Sequence, residues 1–155
     1  MQLWRCLALS KQLRKSDIRS LNEELPVELD KKDKVILVDD VLLVNDSLHF
    51  LRIEDSWVPA LPLLLDRPQL LPQLVVDMGA VRFVVNGADI MRPGIVEVPE
   101  VDEGSLVTVV DERNRKPLAV GRVKVSGEAM QSMDSGNVVE SLHYVGDTYW
   151  EKHSN

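Results

Sequence analysis

Three glycines and a proline break one otherwise apolar run, Val75–Val96 (VVDMGAVRFVVNGADIMRPGIV), and limit what this chain can fold into more than any other feature. Gly79, Gly87 and Gly94 admit left-handed backbone, or the close approach of another segment, that a Cβ forbids. Asn86-Gly87 is a turn or helix-stop signal. Pro93-Gly94 is a second break a few residues later. The segment between them, Ala88–Arg92, is pinned at both ends and carries a single cation, Arg92. Glycine at both rims of so short a segment suits a surface on which another molecule's backbone can lie.

The rest of the chain reads as short elements. Residues 1–9 have strand-like apolar content, and Cys6 within them is expected to be a small core residue. Leu13, Ile18, Leu21 and Leu25 recur at helical spacing and predict a helix ended by Pro26, while Ser16 or Asp17 as cap would start a shorter one. Val35–Asp39, Val41–Val44 and Leu48–Ile53 read as strands, with Asn45-Asp46-Ser47 as a turn. Val58–Pro72 holds four of the eight prolines and six leucines, so it is neither a central strand nor an unbroken helix. It is expected to be a packed connector with one helical turn around Leu61–Leu65, and a domain boundary falls near Pro72.

Beyond it a strand is expected at Leu74–Val76. Met78–Val85 is open between strand, from the propensity of its valines and Phe83, and helix, from the spacing of Val81, Val84 and Val85 behind Asp77. Strands follow at Ile95–Val98, Leu106–Val110 and Leu118–Val125, then a capped helix at Ser126–Met133. Two further strands, Val138–Val139 and Ser141–Val145, complete the set. Many short strands with Gly and Pro turns indicate a barrel or sandwich.

At 155 residues the chain makes one or two small domains. No apolar run approaches the ~18–20 residues of a membrane span, and the N-terminus lacks the pattern of a secretory signal. With Cys6 as the single cysteine there is no internal disulfide, so a reducing, cytoplasmic setting is expected. The net charge of −7 argues against broad electrostatic attraction to nucleic acid. Residues 1–72 carry 10 Lys/Arg against 12 Asp/Glu, and residues 73–155 carry 8 against 13. Any RNA contact must therefore be a local patch.

Catalytic parts are missing. There is no GxSxG elbow, P-loop or GxGxxG, and His49, His143 and His153 lie far apart without paired cysteines, so neither an enzyme nor a metal or other cofactor is expected. The loop carboxylates Asp89, Asp111 and Glu112 read as solvating groups. Trp57, Tyr149 and Trp150 read as packing residues at the domain junction and the C-terminal end. Aromatics are few and the strands carry valine and leucine instead, so RNA would be read through backbone and shape rather than by stacking. On the strand 118–125, alternation puts Arg122 and Lys124 side by side on one face. Arg113, Arg115 and Lys116 form a basic hairpin, and Lys11, Arg14, Lys15 and Arg19, joined by Lys31, Lys32 and Lys34, a second basic stripe. These hairpin and first-helix cations are candidate secondary contacts.

GADIMRPGI, with VDMGAVRFVVN before it, resembles the PUA domain, a small RNA-binding β-barrel. The wider run Trp57–Ile95 and the tail Ser141–Trp150 (SLHYVGDTYW) resemble the malignant-T-cell-amplified-sequence and ligatin family of translation proteins. The resemblance implies an α+β chain: a small α/β domain over 1–72, then a PUA-type pseudobarrel over 73–155, with 78–85 helical. It implies an RNA groove at Gly87, Ala88, Asp89, Arg92, Pro93 and Gly94, with Gly79 on the preceding helix, and Arg122 and Lys124 are added from the strand pattern. It further implies a tRNA acceptor end or ribosomal RNA as ligand, the small ribosomal subunit as setting, and a protein partner through the first domain. Two alternatives stand beside it: delivery of RNA to a separate modifying enzyme, and a protein-interaction module using the four carboxylates of Glu97–Glu103.

Overall fold

In a computed structural model, residues 10–153 are described, and the strand-like run 1–9 with Cys6 lies outside them. Five strands, β1 (Ser10–Gln12), β2 (Val35–Val38), β3 (Val41–Val44), β4 (Ser47–Ile53) and β5 (Ser56–Pro59), pair in chain order as an antiparallel meander. The hairpins are tight because Asn45-Asp46 and Glu54-Asp55 all take positive φ, between 51° and 69°. Such turns match the natural twist of the strands, and Asn and Asp tolerate that conformation better than other residues with side chains. The last two residues of β5, Val58 and Pro59, fall in the stretch expected to be connector. Pro59 is accommodated because it ends an edge strand, whose outer side needs no ladder donor.

The first helix, α1 (Lys15–Asn22), is shorter than the leucine spacing predicts. The Arg14 N–H donates to the Asp17 carboxylate at 3.0 Å and sets its start. Asn22 ends it: its side chain accepts from the Leu29 N–H at 2.8 Å and donates to the Leu29 carbonyl, folding the chain back before Pro26 is reached. Ile18, Leu25 and Leu29 then cover one face of the sheet with Leu63 and Phe50. The turn at Leu61–Leu65 is present as α2 (Leu61–Asp66), with Pro62 in its first turn, where a missing N–H is harmless.

The second sheet has six strands: β6 (Gln73–Val76), β7 (Ile90–Met91), β8 (Ile95–Glu97), β9 (Leu106–Asp111), β10 (Pro117–Val123) and β11 (Asn137–Tyr144). Their order is β7-β11-β10-β9-β6-β8, antiparallel except for the β6–β9 pair. It curls around Leu74, Val76, Val107, Val109, Ala119, Val123 and Val139, closed by α3 (Met78–Val84) and α4 (Gly127–Gln131). The helical alternative for 78–85 is thus the one adopted. The two strands expected near the C-terminus are one, with a register shift opposite Val120 and Gly121. A last helix, α5 (Thr148–His153), was not anticipated, because a six-residue segment carries too little periodicity to announce itself.

The two sheets share a core. Val120, on the outer face of β10, packs with Val58, Leu61 and Leu64, and Trp150 of α5 joins them. Tyr149 packs against the first sheet. Both thus do what the sequence suggests, whereas Trp57 belongs to the core of the first sheet, beneath the Arg52 guanidinium at 5.7 Å. Among the described residues no helix is long and apolar enough to cross a membrane.

Candidate nucleic-acid interface

The glycine-rich run folds into a hairpin-like ledge, and each bend has a local cause. Asp77 caps α3 by accepting the Ala80 N–H at 2.9 Å. At the other end the Ala88 N–H bonds the Phe83 carbonyl and the Gly87 N–H that of Val84, which requires left-handed backbone at Gly87, φ 87°. A Cβ there would also stand 2.8 Å from the Tyr144 ring. The chain then forms β7, the 3-10 turn Arg92–Gly94 and β8. Gly94 lies so close to α3 that a Cβ would come within 3.1 Å of Ala80 Cβ, and its carbonyl accepts the Asp77 N–H at 2.9 Å.

Between α3 and residues 88–94 lies an open, mainly apolar groove of about 560 Å³. Gly79, Ala88, Asp89, Pro93 and Gly94, all candidates from the sequence, line it, and so do Phe83 and Met91. Gly87 and Arg92 do not line it. They hold it from behind. Arg92 Nε donates to the Met130 carbonyl at 2.6 Å and its Nη1 to the Ile95 carbonyl at 3.1 Å, so the guanidinium ties the ledge to α4.

Asp89 is also a fixture. Asn137 Nδ2 and the Ser141 N–H both donate to it at 2.9 Å, and Lys124 Nζ lies 3.9 Å away. The Asn137 bond first, then that from Ser141, outweigh partial burial and, with Lys124, hold the carboxyl below its usual range. Asp111 is similar: its side chain is buried and accepts from the Asn114 and Arg113 N–H groups, fixing the hairpin turn and lowering its pKa despite burial. The expectation that Asp89 and Asp111 are solvating loop carboxylates is corrected on both counts, because Asp111 is the acceptor that its own turn needs and Asp89 is the acceptor that ties the ledge to β11.

The glycines differ in one decisive respect. Gly79 is exposed in a helix, and a Cβ on it would meet only Asp77 Oδ1, at an ordinary 3.4 Å. Neither backbone nor packing requires glycine there, although glycine in a helix costs up to about 1 kcal/mol relative to alanine. What its missing side chain does is keep the groove open.

The sequence profile of the PUA domain family matches residues 72–145, from the start of the curled sheet to its last strand. Malignant T-cell-amplified sequence 1-B of Xenopus laevis is 36% identical over 141 residues, 84% of this chain and 75% of that one. Translation machinery-associated protein 20 of Eremothecium gossypii is 31% identical over 142 residues, 84% of this chain and 78% of that one. The chain belongs to the malignant-T-cell-amplified-sequence family. The crystal structure of a hypothetical protein from Pyrococcus horikoshii superposes with a TM-score of 0.80 at 32% identity, covering 94% of this chain and all of that one. The curled second sheet of this family member is accordingly a PUA-type half-barrel, and the α+β expectation holds.

The remaining candidate cations do not gather at the groove. Arg122 Nη1 donates to the Gly104 carbonyl at 3.0 Å, while Lys124 lies past the end of β10 beside Asp89. Arg115 pairs with Glu97, Arg113 is exposed in the same hairpin, and Lys116 borders a separate apolar groove with Leu65 and Trp150. Lys11, Arg14 and Lys15 are exposed on β1 and α1 of the first sheet. Phe83 and Met91, both large, apolar and about half exposed, are among the groove residues that the sequence reading did not name as candidates. The signal for Phe83 was present: with Val81, Val84 and Val85 as the inward face of a helix, Phe83 falls outside it.

Proposed function

We propose that this protein binds structured RNA without catalysis, in translation, through the groove between α3 and residues 88–94. The observation that carries the reading is Gly79, a glycine the fold does not need, on the wall of a groove that its missing side chain keeps open. Family membership supports the class of ligand, and the name of the fungal relative supports translation as the setting. The finer assignment is a tRNA acceptor end or ribosomal RNA met on the small ribosomal subunit, in the cytoplasm. The chain then divides near Pro72 into an α/β unit, 1–72, and a PUA unit, 73–155. Lys11, Arg14 and Lys15 of the first are available to a protein partner or to RNA.

Gly79→Ala and Gly79→Gln test it. Alanine is expected to leave stability unchanged or to raise it by up to about 1 kcal/mol, since φ is ordinary and the space is free. Glutamine is expected to fold equally well, fill the groove and weaken tRNA binding at least tenfold, as removal of the tRNA's unpaired 3′ end should. Thermal melts and titrations of intact and end-trimmed tRNA read both. Undiminished binding by folded Gly79→Gln would remove the groove as the site.

A further inference from the structure

A second groove, of about 460 Å³, lies where the two sheets meet. Its walls include Pro62 and Leu65 of α2, Val85 at the end of α3, Val145, and Trp150 of α5. The local cause is the short helix α2. Leu61, Leu63 and Leu64 turn inward, which leaves Pro62 and Leu65, three residues apart, on the outward face. A helix face in water ordinarily carries polar residues, yet Leu65 is 45% exposed. Apolar side chains left in water around one groove mark a contact surface, and binding grooves favour junctions between structural units.

One charge lines this groove, and it is a cation. Lys116 ends the basic hairpin, whose turn is fixed by the Asp111 carboxylate through the Arg113 and Asn114 N–H groups. Within that hairpin Arg115 pairs with Glu97, whereas Lys116 is exposed and makes no ion pair among the described residues. No carboxylate lines the groove with it. In a chain of net charge −7 this is a local reversal of sign. A polynucleotide brings a phosphate with every nucleotide, and a single ammonium answers only one. Aliphatic walls beside one unspent cation match instead a peptide segment whose apolar side chains stand next to an aspartate or glutamate.

We propose that this groove docks a partner protein, which inserts a short apolar segment and pairs an adjacent carboxylate with Lys116. Because α2 belongs with the first sheet and the other walls with the second, the bound segment also braces the contact between them. The RNA groove takes no part, since the two grooves share no lining residue.

A displayed library of random dodecapeptides, selected on the whole protein with Leu65→Ser as counter-selection, provides the test. Recovered sequences are then made as labelled peptides and titrated by fluorescence anisotropy. Leu65 and Lys116 are exposed, so Leu65→Ser, Lys116→Glu and Lys116→Arg are expected to melt as wild type does. Recovered peptides should join apolar residues to Asp or Glu. Lys116→Glu should weaken them roughly tenfold or more and Leu65→Ser about fivefold, while Lys116→Arg retains the affinity. All three variants should bind tRNA as wild type does. A library that yields no binder, peptides without an acidic residue, or equal binding by Lys116→Glu overturns the proposal. Weakened tRNA binding by folded Lys116→Glu would give this face to RNA instead. A wild-type dimer in sedimentation that Lys116→Glu dissolves would give it to a second copy of the chain, and either result also overturns the proposal.

Discussion

With Arg92 replaced by methionine, the protein is expected to lose about 2–4 kcal/mol of stability, given ~1.5–3 kcal/mol for each hydrogen bond from a charged group and some relief from partial exposure. RNA affinity should fall with it, while the slope of binding against salt stays where it was. The guanidinium joins the 92–94 turn to the last turn of α4 through the Met130 carbonyl and to β8 through the Ile95 carbonyl, and without it both carbonyls lose a charged donor, while the Met133 N–H at 3.1 Å stays on Met130. Lysine should rescue little, because one ammonium cannot reproduce the fork that serves two carbonyls. Urea denaturation and titrations at several salt concentrations separate this from a direct phosphate contact. An arginine on phosphate would leave stability nearly unchanged and reduce the salt slope by about 1.

Asp147→Ala should cost more, about 3–5 kcal/mol, since each buried donor left without an acceptor costs ~1–3 kcal/mol. Its carboxylate accepts the Tyr144 N–H at 3.0 Å and the Trp150 N–H at 2.8 Å, and lies 2.6 Å from Nδ1 of the buried His143. The first two fix the turn into α5, which carries Tyr149 and Trp150 into the contact between the sheets. Burial raises the Asp147 pKa, but the His143 hydrogen bond and charge and the two N–H groups outweigh it, leaving the carboxyl below its usual value. The sign follows. A lowered folded pKa gives stability that is present above the unfolded value of about 3.9 and fades as pH falls through the folded pKa. Wild type should therefore lose more stability than Asp147→Ala between neutral and strongly acid pH. Parallel pH dependences of Tm in the two proteins would count against this account.

Asp77, Gly87 and Pro93 could be placed on α3 and its exits from the sequence because each acts within a few residues of itself. The same is true of Asn45-Asp46 and Ser126 at their turns and cap. The roles of Asp89 and Arg92 were not legible. Their partners, Asn137, Ser141 and Met130, are 38 or more residues away, and one sequence contains no record of that separation being closed. A cation on a glycine-framed loop therefore looked like a ligand contact when its charge is directed inward. Phe83 was not singled out, because its outward place follows only once Met78–Val84 is a helix.

By itself the sequence determined the class of fold, the helical turn at Leu61–Leu65 and the location of the ledge. Those depend on local backbone preference and apolar periodicity. Tertiary structure alone decided which ledge residues line the groove and which support it. Whether a charge is available to a ligand depends on the carbonyls and carboxylates that folding brings beside it, and in this chain those come from α4, β8 and β11.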